Sequence, residues 1–514
     1  MPLLSSIYRG MWRTAAHTLR TRLIPISRVL STGHEAPSGL FDADTIFALS
    51  SGHGRCGVAV VRISGPAAAT ALRSMAGLTC HLPPPRTALL RRITDPHSKE
   101  VLDRGLVLWF PAPHSFTGED SVEFHIHGGT AVITAVLQAL GSVSGMRPAE
   151  AGEFTRRAFQ AGKLDLTEVE GLGDLIHAET EAQRRQALRQ MSGDLGRLYQ
   201  DWSRRLKRCL AHVEAFIDFS EDELIEDGVL NRADLSVQEL QAEMLQHLKD
   251  ERRGERLRSG IQVVIAGDTN AGKSSLLNTL CQRPAAIVSP IAGTTRDVVE
   301  TALDIGGFPV LLSDTAGLRD SRDVVEREGV RRARERVEQA DLTLVVVDCA
   351  HLPLDGGGAV ASLQGHLRSV LPSQQHPDTD KCLLVLNKVD LLSETQRWKL
   401  KEELSGVYGL PPVCPISCQT HQGLKDFLTV LHSRVQTLCG DPLSGGPTLT
   451  QARHRAHLQQ CVASLAQYQR YRDCDLALAA EGVRLALTSL GRITGRVGAE
   501  EILDIIFKDF CIGK

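Results

Sequence analysis

The chain has 514 residues, a formal net charge of −3 and 42% hydrophobic residues. That length calls for several domains with ample core, and the small net charge excludes a global electrostatic attraction to nucleic acid, so any RNA contact has to be a local patch. No apolar run approaches the roughly 20 residues of a membrane-spanning helix, and the twelve cysteines contain no CxxC pair, which favours reduced thiols over a disulfide framework.

The first 34 residues stand apart. Arg9, Arg13, Arg20, Arg22 and Arg28 are interleaved with Leu, Ile, Trp, Ser and Thr, and no acid precedes Glu35. This is the composition of a mitochondrial transit peptide, with a disordered basic tail as the bland reading. Asp44–Leu49 and Gly57–Gly65 then read as strands joined by a glycine-rich turn. Leu106–Phe110 and Ser121–His127 are further strands, and Thr130–Leu140 is a helix, so residues 40–150 form an α+β domain. His125 and His127 alternate like strand residues, but no third metal ligand is near. From Glu153 to Asp250, Leu, Ala and Ile recur at helical spacing. Within that stretch Arg204-Arg205-Leu206-Lys207-Arg208 reads as an exposed face, with a role in RNA binding left open.

A nucleotide module follows. Gly267-Asp268-Thr269-Asn270-Ala271-Gly272-Lys273-Ser274 fits the phosphate loop G-x-x-x-x-G-K-S, between the apolar run Ile261–Ala266 and the helical Ser275–Leu280. The glycines let backbone N–H groups turn onto phosphates at a helix N-terminus. Asn270, Ala271, Gly272, Lys273, Ser274 and Ser275 would hold the nucleotide, with Lys273 on the β/γ-phosphates and Ser274 on Mg²⁺. Thr294 and Thr295 lie where a switch threonine reaches Mg²⁺. Asp314-Thr315-Ala316-Gly317 places an acid for Mg²⁺ and a glycine for the γ-phosphate. Asn387-Lys388-Val389-Asp390 ends the run Leu383–Leu386, and the Asp390 carboxylate can accept two N–H bonds from a guanine edge, which adenine cannot offer. Ser417-Cys418 is the fifth element, supporting the base. Five elements in this order specify a GTPase.

Leu318 stands where many small GTPases carry a water-orienting glutamine. Another group must position the water, and Glu326 is the candidate. The carbonyl of Asn270 can ligate a monovalent cation beside the phosphates, and Arg319 is the nearest alternative cation. Asp441–Pro447 is a linker, and residues from 449 onward return to helical patterning. The economical architecture is multidomain: an α+β N-terminal domain and an α-helical central domain, residues 151–257 and 448–514, interrupted by an inserted α/β Ras-like P-loop GTPase domain over 258–437.

The terminus Phe510-Cys511-Ile512-Gly513-Lys514 resembles the Cys-x-Gly-Lys ending of the tRNA-modification GTPases called MnmE or TrmE. Val61–Gly65, Ser115–Asp120, His127–Gly129, Gly152–Thr155, Lys163–Leu166 and Ala292–Asp297 are similar to that family as well, from about residue 42 to the end. With its leader, the chain resembles a mitochondrial member. The resemblance implies a tetrahydrofolate derivative, 5,10-methylene or 5-formyl, bound at a homodimer interface of the N-terminal domain by Arg62, Glu123, Lys163 and Lys514. It implies K⁺ pairing of two GTPase domains in the GTP state, with Asn270, Ser289, Ile291 and Thr294 as its ligands and Glu326 orienting the water. It also implies Cys511 as a catalytic thiol. Asp268-Thr269 and Ser289-Pro290 depart from the bacterial pattern, which bears on the strength of K⁺ dependence.

On this resemblance the chain is expected in the mitochondrial matrix, acting with an FAD-dependent MnmG/GidA-type protein on mitochondrial tRNA. The product would be a wobble uridine substituted at carbon 5 with a taurinomethyl-type group. The alternative is a GTP-switched RNA-binding or ribosome-assembly factor of the organelle. A small signalling GTPase fits less well, because Leu318 replaces the glutamine and the module is embedded.

Overall fold

The computed structural model describes residues 44–514 except 53, 79–80, 220–226, 251, 283–299, 315–333, 354–357, 372–380, 406, 408, 498–499, 509, 511–512 and 514. The leader lies outside the described residues.

The N-terminal region is built on strands β1 (Thr45–Leu49), β2 (Cys56–Ser64), β3 (Leu89–Thr94), β4 (Val101–Phe110), β5 (Ser121–Gly128) and β6 (Met146–Pro148), with helices α1 (Ala68–Ala76) and α2 (Thr130–Gly141). The sheet order is β3-β4-β5-β2-β1-β6, and only β6 runs parallel to its neighbour. Side chains alternate between faces with period two. Val61, Val107 and Phe124 therefore share one face and pack with Leu72 and Met75 of α1 and Val136 and Leu140 of α2. The opposite face carries the aligned rows Leu90–Leu106–His125–Val60 and Leu108–Glu123–Arg62–Ala48. No helix of the α1 and α2 layer covers it.

Helices α3 (Glu153–Gln160), α4 (Leu166–His177), α5 (Glu181–Met191), α6 (Asp194–Phe219), α7 (Asp227–Leu248) and α8 (Arg253–Ser259) follow. Capping boxes at Asp165 and Thr180 start α4 and α5. On α6, Leu195, Tyr199, Trp202, Leu206, Cys209 and Val213 recur every three or four residues and are buried. They meet α7 and two helices far along the chain, α13 (Ala452–Tyr471) and α14 (Leu476–Thr494). One apolar core thus closes from two segments separated by the whole nucleotide module. A last helix, α15 (Glu500–Lys508), precedes the terminus.

The inserted module is a second six-stranded sheet of β7 (Ile261–Gly267), β8 (Glu300–Ile305), β9 (Phe308–Asp314), β10 (Leu342–Asp348), β11 (Cys382–Asn387) and β12 (Val413–Pro415). Its order is β12-β11-β10-β7-β9-β8, parallel except for the β8–β9 hairpin. Apolar runs buried on both faces are what such a sheet needs. Helices α9 (Lys273–Cys281) and α12 (Leu424–Cys439) contribute to one core, and α10 (Gly358–Val370) and α11 (Glu394–Leu404) to the other.

Ion pairs tie the module to the bundle. Arg258 on α8 meets Asp174 on α4 at 2.7 Å, Arg256 meets Asp341 ahead of β10 at 2.7 Å, and Arg455 bridges Asp250 and Glu255. Deeper still, Glu170 receives Arg453 at 2.8 Å, and its other oxygen lies 2.7 Å from His454 Nε2. Burial pushes the Glu170 carboxyl up, yet His454 and Arg453 hold it below its ordinary value of 4.5. A carboxyl lowered on folding contributes stability above that value and loses it as pH falls below. Glu170→Ala should strand a buried positive charge and cost about 3–5 kcal/mol near neutral pH. Urea unfolding followed by tryptophan fluorescence measures this, and the gap from the parent should narrow as pH falls below 4.5.

Candidate functional site

Strand β7 has β9 on one side and β10 on the other, which opens a crevice beyond the carboxyl ends of the strands. The phosphate loop occupies that place. Asn270 adopts a left-handed conformation with φ 67°, and Gly272 follows at φ 100°. A Cβ on Gly272 would sit 2.1 Å from Asn387 Nδ2. The reason is a cross-link: Asn387 Nδ2 donates to the Ala271 carbonyl at 3.0 Å, while Asn387 Oδ1 accepts from Cys418 N at 3.2 Å. One buried side chain thereby joins the phosphate loop, the N-K-x-D element and the Ser417-Cys418 element.

Lys273 is buried at the start of α9 and donates to the carbonyls of Gly267 (3.0 Å) and Asp268 (2.8 Å). Burial lowers its pKa from 10.5, against the opposing pull of Asp314 and Asp268. A polyphosphate arriving at the loop would supply the counter-charge that burial withholds. Ser274 Oγ donates to Asp314 Oδ2 at 2.9 Å, and Asp314 Oδ1 is buried without a hydrogen-bond partner among the described residues. A hydroxyl facing a carboxylate with an unspent oxygen is a donor set that fits Mg²⁺. Ser275 is exposed on the first turn of α9.

On the base side, Lys388 is left-handed at φ 66°, and its ammonium meets Asp348 Oδ2 at 2.6 Å. Asp390 lies half-buried in the short turn Val389–Leu391. Ser417 is fully buried, and its Oγ accepts from Thr420 N at 3.0 Å. Cys414 is buried and Cys418 partly so, both free, and burial pushes the Cys414 thiol up to about 11. Asp348 was not legible as a site residue, because its role depends on β10 and β11 lying side by side. Nor was the contact between Asp268 and His366 of α10, at 3.3 Å.

A second cluster lies on the sheet face away from α1 and α2. Arg62 and Glu123 are cross-strand partners, with Arg62 Nε and Nη2 donating to Glu123 Oε1 at 3.1 and 2.9 Å. The Arg62 guanidinium lies over the rings of Phe116 (5.4 Å) and Phe154 (5.9 Å). His125 Nε2 stands 3.2 Å from Glu123 Oε2, and His127 Nδ1 stands 2.8 Å from Asp103. Lys163 is exposed, with its stem beside Gly118. The chain terminus reaches this region: Ser50 Oγ donates to the Gly513 carbonyl at 2.8 Å. Gly513 has φ 98°, and a Cβ there would meet Leu49 O at 2.2 Å, so glycine is required. Leu49 and Ala48 pair with Val61 and Arg62, so the tail is held one strand from the Arg62–Glu123 pair. Ser289, Ile291, Thr294, Thr295, Gly317, Leu318, Arg319, Glu326, Cys511 and Lys514 lie outside the described residues.

Two family profiles match the chain. One, described as GTP-binding protein TrmE N-terminus, covers residues 45–163, and the other, described as MnmE helical domain, covers residues 166–511. The mitochondrial 5-taurinomethyluridine-[tRNA] synthase subunit GTPB3 of Danio rerio is 68% identical over 495 residues, spanning 96% of this chain and 97% of its own. The Homo sapiens protein of that name is 55% identical over 510 residues, 99% of this chain and 100% of its own. The tRNA modification GTPase MnmE of Parvibaculum lavamentivorans is 51% identical over 473 residues, 92% of this chain and 100% of its own.

Gly272→Ala tests the cross-link at its tightest point. The added methyl must displace the Asn387 amide, so guanine-nucleotide affinity should fall by at least about a hundredfold, or roughly 2.7 kcal/mol. Titration with a fluorescent GDP analogue measures it, with circular dichroism checking that the fold is kept.

Proposed function

This chain belongs to the MnmE/TrmE family of tRNA-modification GTPases, and from that premise we propose that it is the GTP-hydrolysing subunit that installs a taurinomethyl-type group on carbon 5 of the wobble uridine in mitochondrial tRNA. The observation that carries this reading is the pairing of two sites in one chain. A guanine-nucleotide site is cross-linked by Asn387, and a separate Arg62–Glu123 cluster lies one strand from where Ser50 holds the Gly513 carbonyl. A simple GTP switch has no use for the second.

In the nucleotide site, backbone N–H groups and Lys273 orient the phosphates, and Asp390 selects guanine over adenine. Ser274 and Asp314 would hold Mg²⁺, joined by Thr295. When bound, the metal neutralises charge developing on the β/γ-phosphates. With leucine at 318, Glu326 orients the attacking water. Asn270, Ser289, Ile291 and Thr294 would hold K⁺, which would supply the remaining positive charge where two GTPase domains pair. Hydrolysis then drives a conformational step rather than the modification itself.

The N-terminal cluster suits a tetrahydrofolate one-carbon donor. Its aromatic neighbours Phe116 and Phe154 and the Glu123 carboxylate match a flat heterocycle with N–H donors. The cations Arg62, Lys163 and Lys514 match the carboxylates of a glutamate tail. Val58, Leu90 and Leu106 are 60%, 50% and 40% exposed on strands of this sheet. An apolar sheet surface of this kind supports a homodimer that buries it. Cys511 serves as the thiol of the modification chemistry, a flavoprotein of the MnmG type supplies the redox step, and the complex works in the mitochondrial matrix.

Arg62→Ala removes a charged hydrogen-bonding group worth about 1.5–3 kcal/mol. Calorimetric titration of the full chain with 5-formyltetrahydrofolate should show affinity reduced at least about tenfold, with GTP hydrolysis unchanged. Equal folate affinity in the variant, or none in the parent, would sink the folate assignment.

A further inference from the structure

We propose that the solvent face of α6 is the surface on which this protein holds the tRNA phosphate backbone, an inference that rests on the tRNA-modification reading and gives it a docking site. Between Arg197 and Arg208 the helix carries five cations, Arg197, Arg204, Arg205, Lys207 and Arg208, against one acid, Asp201. The chain as a whole is net negative, so this is a local concentration of positive charge of the kind that RNA contact demands.

The bundle core settles which side chains face out. Leu195, Tyr199, Trp202, Leu206 and Cys209 are buried against α7, α13 and α14, and Arg197, Gln200, Arg204, Lys207 and Arg208 are exposed at the complementary spacing. Arg205 turns sideways to Glu243 of α7 at 2.8 Å. Arg197 and Arg204 make only local exposed pairs three residues back, with Asp194 and Asp201. Such pairs are weak and leave both guanidinium groups available to a phosphate. Lys207 and Arg208 have no ion-pair partner among the described residues. At 1.5 Å per residue the ridge runs about 17 Å from Arg197 to Arg208.

One end of the ridge leads toward the chemistry. Arg197 and Gln200 line a cleft of about 340 Å³ shared with Arg496, beyond the end of α14, and with Phe159 of α3. Two acids, Asp165 and Glu168, also line it, but each caps the other's backbone N–H at the start of α4. Phe159 lies 6.4 Å from Phe507, and Phe507 lies 6.3 Å from Phe510, the residue before Cys511. A backbone tracked along α6 is thereby led to the aromatic chain that carries the terminal segment.

The partner's chemistry follows from what the face lacks. None of its exposed residues from Arg197 to Arg208 is apolar. A protein interface centres on buried aromatic or aliphatic anchors, and a membrane-surface helix needs an apolar face to insert. A polyanion needs neither, and is held by counterion release through Lys and Arg.

The test uses the full chain and an unmodified tRNA transcript, with affinity measured from about 50 to 200 mM KCl. In the triple variant Arg204→Gln, Lys207→Gln, Arg208→Gln, affinity at low salt should fall at least about tenfold. The slope of log affinity against log salt should become shallower by about two, since each phosphate contact contributes roughly 0.7. A control triple on the nucleotide module, Arg368→Gln, Lys401→Gln, Lys425→Gln, should leave the slope unchanged, and GTP hydrolysis should be the same in all three proteins. Parent-like affinity and slope in the α6 variant, with the parent binding tRNA, would overturn the ridge and leave the tRNA reading standing. Equal losses in both triples would overturn it too, since the effect would then be total charge. An altered affinity for anionic vesicles with unaltered tRNA binding would reassign the face to a membrane. The tRNA reading fails separately, if the modified nucleoside persists in cells lacking this protein.

Discussion

The hydrogen bond from Asn387 to the Ala271 carbonyl is the constraint on which the nucleotide site depends. It runs from the end of β11 across β10 to the loop after β7, so it exists only when the parallel sheet is in register. It also leaves no room for any side chain at Gly272. The same amide accepts from Cys418 N, which brings the last base-side element to the first phosphate-side one. The phosphate loop, the N-K-x-D element and the Ser417-Cys418 element are therefore cross-linked into one object. Lys388 is held in turn by Asp348, so the base side has its own anchor in β10.

That object is wired into the rest of the chain at few points. Helix α8 enters β7 directly, and its ion pairs with Asp174, Asp341 and Arg455 decide how the module sits on the bundle. Helix α4, which carries Asp174, also carries Glu170, whose carboxylate holds Arg453 and His454 at the start of α13. A shift of α8 is thus felt at the junction of both halves of the bundle. Phe510 packs against Gly173 of α4, one residue from Asp174, and the tail then runs to Leu49 and Ser50. These contacts link α8, which leads into β7, through α4 to Phe510.

Much of this was legible in the sequence, for identifiable reasons. The phosphate loop, Asp314, the N-K-x-D element and the bundle helices are local patterns, set by strand-end turns and by a 3.6-residue period. The Ras-like sheet and the interrupted helical region followed from their order along the chain. Less legible were features made by distant pairing. Helix α1 is only nine residues long and buries mainly alanines, and β3 exposes Leu90, Arg91 and Arg92 at the sheet edge, so neither announced itself. The β8–β9 hairpin turns on Gly306 and Gly307, and β8 gains its meaning only from pairing with β9. The Gly513–Ser50 contact joins residues 463 apart. The partners of Arg62, Phe116 and Phe154, likewise come from a loop and from α3, which no spacing rule connects.

Guanine-nucleotide turnover in this chain is proposed to serve the modification of tRNA. The most direct measurement is nucleoside mass spectrometry of mitochondrial tRNA from cells lacking this protein, complemented with the parent chain or with Lys273→Ala. The wobble-uridine 5-substituent should be lost, and restored by the parent but not by the variant. An unchanged nucleoside profile in the cells without the protein would contradict it and favour a role at the ribosome.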